Sequence, residues 1–466
     1  MTAKNLDCDL AVVGGGLAGL TAGVAAAERG LEVHVFERGA EEDYPCNSRS
    51  AGGAFHVAYT DPTSTPVNLR AAINRVTRGE AAPDLATAMA ENASRTVYWL
   101  RDHGVDFSPG PTPMHKFTVT PHRPMLAGLD WANYGPDEML KALTQKLKAA
   151  GGQLIQRMEA LDLIMVDDNC RGIHLRLDDQ KIDVSANAVL IADGGFQGNP
   201  SMVGRYIAKR PDLLVQRSAG TATGDGIRMA EAIGARLLMM ERFYGHFVAR
   251  EALQQPDAFS PYPQVDPIAA AAIVIDNTGR RFVDEGLGGI YMSNVVSRFD
   301  NPASTFTVFD SNIWENGPGV KSVYPANPTI ERSGGTVYRA NSPADLAQQI
   351  GVEPRTLTET IECYNACLKD NSFVAQDIPR TNHTVPAAPL DTSALMALPL
   401  AVGITNTMGG IAIDGTMRVL DKDNQPISGL FAAGGSTGGL EGGGTIGYVG
   451  GLIKAAVTGL LAGEAA

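Results

Sequence analysis

The spacing of apolar residues separates the two ends of the chain from its middle. DLAVV (9–13) is a short apolar run that predicts a strand. LAGLTAGVAAAERG (17–30) is alanine-rich and predicts a helix, and LEVHVFE (31–37) predicts a second strand. Strand, glycine turn, helix and strand make a βαβ unit, whose parallel pairing requires helices over the sheet. VYWLRDHG and DEMLKALTQKLKAAGG predict further amphipathic helices, and residues 151–195 predict successive strands ending in a glycine turn. From Glu241 to about Gly403 the chain reads as Pro-, Asn- and Asp-bearing loops with brief strands and one clear helix at 353–369, the character of an inserted domain. LFAAGG and IGYVGGLIKAAVTGLLAGE then restore strand, glycine loop and helix. No fixed-period repeat or low-complexity tract is visible.

The turn in the βαβ unit carries Gly14, Gly16 and Gly19 as G-x-G-x-x-G. The first glycine allows the tight turn, the second lets backbone approach a pyrophosphate, and the third lets helix and strand pack closely. Glu37 ends the second strand, where a carboxylate can bind ribose hydroxyls. These features predict an α/β, Rossmann-like dinucleotide domain. The early motif does not choose between FAD and NAD. CNSRSAGGAF, ADGGF with its Asp193, TGDGI, NTMGGIAID and AAGGSTGG are small-residue loops spread over the whole chain. They suit a long cofactor passing many strand ends, and so favour FAD.

Bulk properties narrow the partners. The 466 residues suffice for two or three domains, or for one large domain with an insertion. A formal net charge of −13 without a basic run argues against nucleic acid or an anionic membrane as partner. Cys8, Cys46, Cys170, Cys363 and Cys367 match no zinc spacing, so no metal site is expected, and a reducing, cytoplasmic setting fits best. MTAKNLDCDLAVVGGG lacks the pattern of a signal peptide, and no run of 18 apolar residues predicts a membrane span.

Taken in order, the glycine loops resemble those of the flavoprotein family of fumarate reductases, succinate dehydrogenases, ketosteroid dehydrogenases and tricarballylate dehydrogenase (FAD-binding family 2), over essentially the full chain. The resemblance implies an FAD domain from 1–240 plus 404–466 and an inserted α+β capping domain at 241–403. It implies hydride transfer between flavin N5 and a carbon next to an activated one, making or reducing a C–C double bond. By the same resemblance Ser48, Ala51, Gly52 and Gly53 lie along the flavin and ribityl chain. Asp225 and Glu285 match acidic positions lining the cofactor. Gly409, Gly410, Gly434 and Gly435 match loops beneath the isoalloxazine, and Thr445 and Ile446 belong to the last such loop. Cys46 falls near the position of a histidine that carries covalent flavin in succinate dehydrogenases. Relatives with a small residue there hold FAD without a covalent link, which is the expectation here.

At the catalytic end the pattern departs from the family. His246 falls on a family histidine. Thr405 and Asn406 replace the histidine expected before TMGG, Gly289 and Tyr291 stand where the acid arginine is expected, and EGGGTIGYVGG (441–451) lacks the clamping arginine. Two substrate carboxylates in a partly dehydrated site need fork-shaped donors, so fumarate and succinate are disfavoured. Ketosteroid dehydrogenases of the family use tyrosines and backbone N–H groups instead. By that resemblance Tyr448, Tyr244, Tyr291 and His246 are the acid–base candidates. Arg123 and Arg242 are candidate carboxylate ligands or surface ion-pair partners. The reading is α,β-desaturation of a ketone or keto acid, with electrons passing to an external acceptor, since no C-x-x-C-H haem motif is present. Two alternatives stay open: an enoate reductase of fumarate or urocanate type, and an FAD-carrying electron-transfer subunit.

Overall fold

The computed structural model describes residues 6–124, 130–320, 322, 324–370, 372–373, 378–381 and 385–466. Residues 1–5, which opened the signal-peptide reading, lie outside them.

The predicted βαβ unit is Leu6–Val13, Leu17–Glu28 and Val33–Phe36. Its strands sit inside an eight-stranded sheet ordered Arg418–Leu420, Pro426–Ala432, Gln180–Ile191, Leu6–Val13, Val33–Phe36, Gln153–Ile155, with the Glu159–Val166/Asn169–Leu177 hairpin beside Gln180–Ile191. Five of these strands are parallel. Registers Val13↔Phe36, Val13↔Ile191, Phe36↔Ile155 and Ala432↔Ile191 bring their C-terminal ends level. In a parallel sheet that edge is where ligands bind. Val33–Phe36 and the C-terminal ends of Leu6–Val13, Gln180–Ile191 and Pro426–Ala432 are buried, as a sheet covered on both faces requires, while Gln153–Ile155 at the edge is not.

The ends of the chain meet on this sheet. Leu17–Glu28 packs on the C-terminal helix Gly451–Ala465 along small residues. A Cβ at Gly459 would lie 2.3 Å from the Ala18 carbonyl, and one at Gly463 2.3 Å from that of Ala22.

A second, six-stranded sheet carries most of the inserted region. Leu395–Thr407 is its centre, pairing with Leu214–Gln216 in parallel and with Phe243–Ala249, Phe306–Asp310 and Tyr338–Ala340 antiparallel, while Ile273–Ile275 closes one edge. The middle of the chain is therefore less loop-like than its composition predicts. Leu395–Thr407, with 13 residues, is the longest strand among the described residues, and the expected helix spans Pro354–Asp370. The sheet also draws Leu214–Gln216 from before residue 240 and runs its central strand through residues 403 and 404, so both expected borders fall inside it. No described helix is long and apolar enough to cross a membrane.

Candidate active site

A cavity of about 560 Å³ opens along the level strand ends and continues to the six-stranded sheet. At the first turn Gly14 adopts φ +102°, and a Cβ there would meet the Ala192 carbonyl at 2.7 Å. Gly15 N–H donates to Glu37 Oε2 at 2.9 Å, Gly39 N–H donates to Glu37 Oε1 at 2.8 Å, and Leu17 N–H donates to Ser48 Oγ at 3.1 Å. Glu37 thus sits beside the helix N-terminus, buried, with its carboxylate fixed. Across the crevice Asp193 Oδ2 accepts from Gly226 N–H at 2.7 Å and Oδ1 from Ser436 Oγ at 3.1 Å. Burial raises the Asp193 carboxyl to about 6, against the lowering effect of those hydrogen bonds. Asp225, Thr223 and Arg38 form an exposed polar corner joined by Thr223–Asp225 (2.5 Å) and Arg38–Thr223 (2.9 Å) bonds.

The other end of the cavity is aromatic. Tyr244, from Phe243–Ala249, and Tyr448, from the last glycine loop, stack with ring centroids 3.8 Å apart and planes 19° from parallel. His56 meets Tyr448 edge-on at 5.8 Å. Gly451 N–H, in the first turn of the C-terminal helix, donates to the Tyr448 hydroxyl oxygen at 2.7 Å. Burial raises the Tyr244 hydroxyl to about 12, an effect that the Arg217 charge opposes. Burial, reinforced by negative charge at Tyr244 and Glu441, carries Tyr448 well above the ordinary tyrosine value. His56 is lowered to about 4 by burial, and its Nδ1 accepts from Tyr59 N–H at 3.2 Å.

Tyr244 owes its position to a β-bulge. It pairs with Asn406 while Gly245 pairs with Ile404, which leaves Thr405 without an opposite residue. Bulges re-aim side chains in this way beside functional sites. Asn47 Nδ2 donates to the Thr405 carbonyl at 3.2 Å, tying the bulge to the loop that follows Val33–Phe36.

The sequence-predicted residues divide. Gly14, Gly16, Glu37, Ser48, Ala51, Gly52, Gly53, Asp193, Asp225, Gly435, Tyr244 and Tyr448 all line the cavity, as do Cys46 and Arg123. His246 does not: it stands behind Tyr244, edge-on at 4.7 Å, with Nδ1 bonded to Asp266, whose other oxygen accepts Phe247 N–H at 2.8 Å. Tyr291 also lies away from the cavity, half-buried on Gly289–Val296 against the core. Glu285 does not line the cavity: fully buried, it pairs with Arg281 at 2.6 Å and accepts Val274 N–H at 2.9 Å. Gly409 and Gly410 pack on backbone instead, 2.2 Å from the Met239 and Ser436 carbonyls if given a Cβ. Gly19 and Gly434 likewise accommodate the Gly14 carbonyl and Ala18. Neither Thr445 nor Ile446 lines the cavity: Thr445 Oγ1 donates to the Val76 carbonyl at the end of Pro66–Thr77 at 3.2 Å, and Ile446 is buried.

Some lining residues were missed. Glu441 and Lys454 form a pair at 3.3 Å, their side chains 1% and 3% exposed. Glu441 also accepts the N–H groups of Val449 (2.9 Å) and Gly450 (3.2 Å), and Lys454 donates to the Thr437 carbonyl at 2.9 Å. A lone lysine in the apolar helix LIKAAVTGLLAG was a readable signal, since buried charge demands a partner. Arg217, Asn47 and His56 gave no comparable signal.

A dinucleotide fits the cradle at the strand ends. Backbone from three separate turns faces the cavity there, and a Cβ added at Gly52 meets no atom within 4 Å. The sequence model of the family described as FAD binding domain matches residues 9–447. The chain belongs to the FAD binding domain family. FAD is thus the cofactor, and Gly14, Gly16, Leu17, Glu37, Ser48 and Gly435 line the cavity at the strand ends. Among curated relatives, this family member is 27% identical to the NADH:fumarate oxidoreductase of Klebsiella pneumoniae (strain 342), over 94% of this chain and 45% of that one. It is 25% identical to the vinyl phenol reductase of Lactiplantibacillus plantarum (strain ATCC BAA-793 / NCIMB 8826 / WCFS1), over 94% and 92%. The chain therefore spans less than half of the Klebsiella protein's length. In fold it is similar to the 3-ketosteroid-Δ4-(5α)-dehydrogenase of Rhodococcus jostii RHA1, with a TM-score of 0.73, 23% identity and coverage of 100% and 98%.

Proposed function

We propose that this flavoprotein is an oxidoreductase acting on a C–C bond beside a carbonyl, and that it desaturates a ketone or keto acid. The observation carrying this reading is the stacked Tyr244–Tyr448 pair at the far end of the FAD cavity. When bound, FAD supplies the two-electron acceptor. Tyr448 already receives the Gly451 N–H on its oxygen, so its own proton is free to be donated to a carbonyl oxygen as that oxygen gains negative charge. Tyr244, stacked on Tyr448 in the cavity wall, is the residue that takes the α-proton. The His246–Asp266 pair behind it is a positioning element.

Gly289 supports the departure from dicarboxylate chemistry. A Cβ there would lie 1.8 Å from the Asp266 carboxyl carbon, so no side chain fits where the family's acid arginine was expected. Reduction of a conjugated acid is the second reading. It is favoured by burial holding Tyr244 at about 12, protonated and ready to donate at neutral pH. Several curated relatives carry reductase names, while one, 30% identical over 55% of this chain, is named 4-oxocyclohexanecarboxylate 2-dehydrogenase. The electrons go to, or come from, an external partner.

Anaerobic mixing with saturated cyclic ketones and keto acids should bleach the flavin, and Tyr448→Phe should slow bleaching by about 10²-fold or more while retaining bound FAD. Activity confined to oxidation of reduced viologen by enoates would sink the desaturase reading in favour of the second. FAD is proposed to be held without a covalent link, since burial raises the Cys46 thiol to about 11 and keeps it protonated.

A further inference from the structure

Arg217 follows the strand Leu214–Gln216 and lines the cavity beside Tyr244. Four contacts fix it. Its N–H donates to the Ile404 carbonyl at 2.8 Å, and its stem crosses Gly403 so closely that a Cβ there would meet Arg217 Cδ at 2.3 Å. The guanidinium lies 5.3 Å from the Tyr262 ring centroid, and Nη1 donates to Thr405 Oγ1 at 3.1 Å. Nε is buried and has no partner among the described residues.

The charge is what is left over. Of the other cations lining the cavity, Lys454 pairs with Glu441, Arg38 reaches Asp225, and Arg123 donates to the Ser50 carbonyl at 2.6 Å. Arg217 has no carboxylate partner among the described residues, and Asp266, the nearby acid, is committed to His246 and Phe247. A guanidinium held in a partly dehydrated cavity wall without an anion is costly, and a bidentate carboxylate relieves that cost. Burial accordingly lowers its proton affinity. Arg217 also bonds Thr405, which replaces the histidine expected from the family resemblance, so a neighbouring strand returns a cation to that spot.

We infer that Arg217 is the receptor for a single substrate carboxylate, which makes the substrate a mono-acid. The inference deepens the proposed reading of the site and rests on it for the position of the carbonyl. One arginine matches one carboxylate and leaves the carbonyl to Tyr448.

The test uses the FAD-loaded protein titrated with 4-oxocyclohexanecarboxylate and, as the neutral counterpart, 4-methylcyclohexanone, with binding followed by the flavin absorption change. Arg217→Met should weaken the acid by ~30-fold or more while changing the neutral ketone by less than ~3-fold, and Arg217→Lys should recover part of the loss. Equal effects on both probes overturn the inference, as does an absence of any wild-type/variant difference toward the acid, including binding by neither. Loss of FAD from Arg217→Met without acid-against-neutral discrimination also overturns it, by assigning the arginine to the cofactor. Wild-type binding of the acid without flavin bleaching would leave Arg217 assigned and remove the desaturase reading instead.

Discussion

In the first glycine loop, a Cβ at Gly14 would strike the Ala192 carbonyl at 2.7 Å and one at Gly19 the Gly14 carbonyl at 2.0 Å, and these close approaches of protein backbone set Gly14 and Gly16 on the wall of the cofactor cavity. In the last loop, 441–450, the glycines also clear neighbouring protein, but Gly442, Gly443, Gly444 and Gly447 do not line the cavity. A Cβ at Gly447 would meet the Val76 carbonyl at 2.3 Å, Gly444 N–H donates to Glu80 at 2.9 Å, and Gly442 and Gly447 bond each other across the loop. Two stretches of similar composition thus end differently. Glycine density reports close approach of protein in both, and the face each loop then turns to the cavity sets them apart. Only Tyr448, Glu441 and the residues leading into the last helix turn from the second loop toward the cavity.

The comparison breaks most sharply at Gly19. Gly19→Ala should cost about 3–5 kcal/mol in urea unfolding and abolish FAD retention, because backbone cannot yield as a side chain would. A variant with normal flavin content would show that the first loop is not built around close approach. Gly447→Ala should cost about 2–4 kcal/mol, yet the folded fraction should bind FAD within ~3-fold of wild type. Lost FAD affinity with unchanged stability would erase the distinction between the loops. A third measurement sharpens the aromatic end. With Tyr244 at about 12, its ionised fraction rises about tenfold per pH unit below that value. Desaturation should therefore accelerate from pH 6 to 9, while the reverse reduction, which needs the protonated form, should stay flat over the same range. Parallel profiles would remove Tyr244 from proton transfer. The smallest effect is expected at Cys46: Cys46→Ser should leave FAD content unchanged, and acid precipitation of the wild-type protein should free its flavin into the supernatant.

The nucleotide end was legible because its signals are local. Strand, turn, helix and Glu37 lie within 37 residues, and each prediction depends on neighbours in sequence. Tyr244 and Tyr448 were legible as types but not as a pair, since their stacking requires the bulge at Thr405. Arg217 was not legible at all. Its contact with Thr405 joins positions 188 apart, through strand pairing that no local pattern announces. Leu395–Thr407 was hidden for a different reason: Pro399 interrupts its apolar run, and proline argues against a central strand. Glu285 was misplaced because its motif fixes a position in the chain, whereas Arg281 and Val274 fix where the carboxylate goes.

That long strand has a mechanical consequence. Thirteen extended residues make a rod of about 40 Å, hydrogen-bonded at one end to Phe306–Asp310 and at the other to the segments bearing Tyr244 and Arg217. The cavity wall bearing Tyr244 and Arg217 and the strands of residues 273–340 therefore share one stiff member. Excising 241–403 as a module would sever that rod and remove Tyr244. In such an architecture new specificities arise more readily by exchanging side chains along the strand than by transplanting residues 241–403.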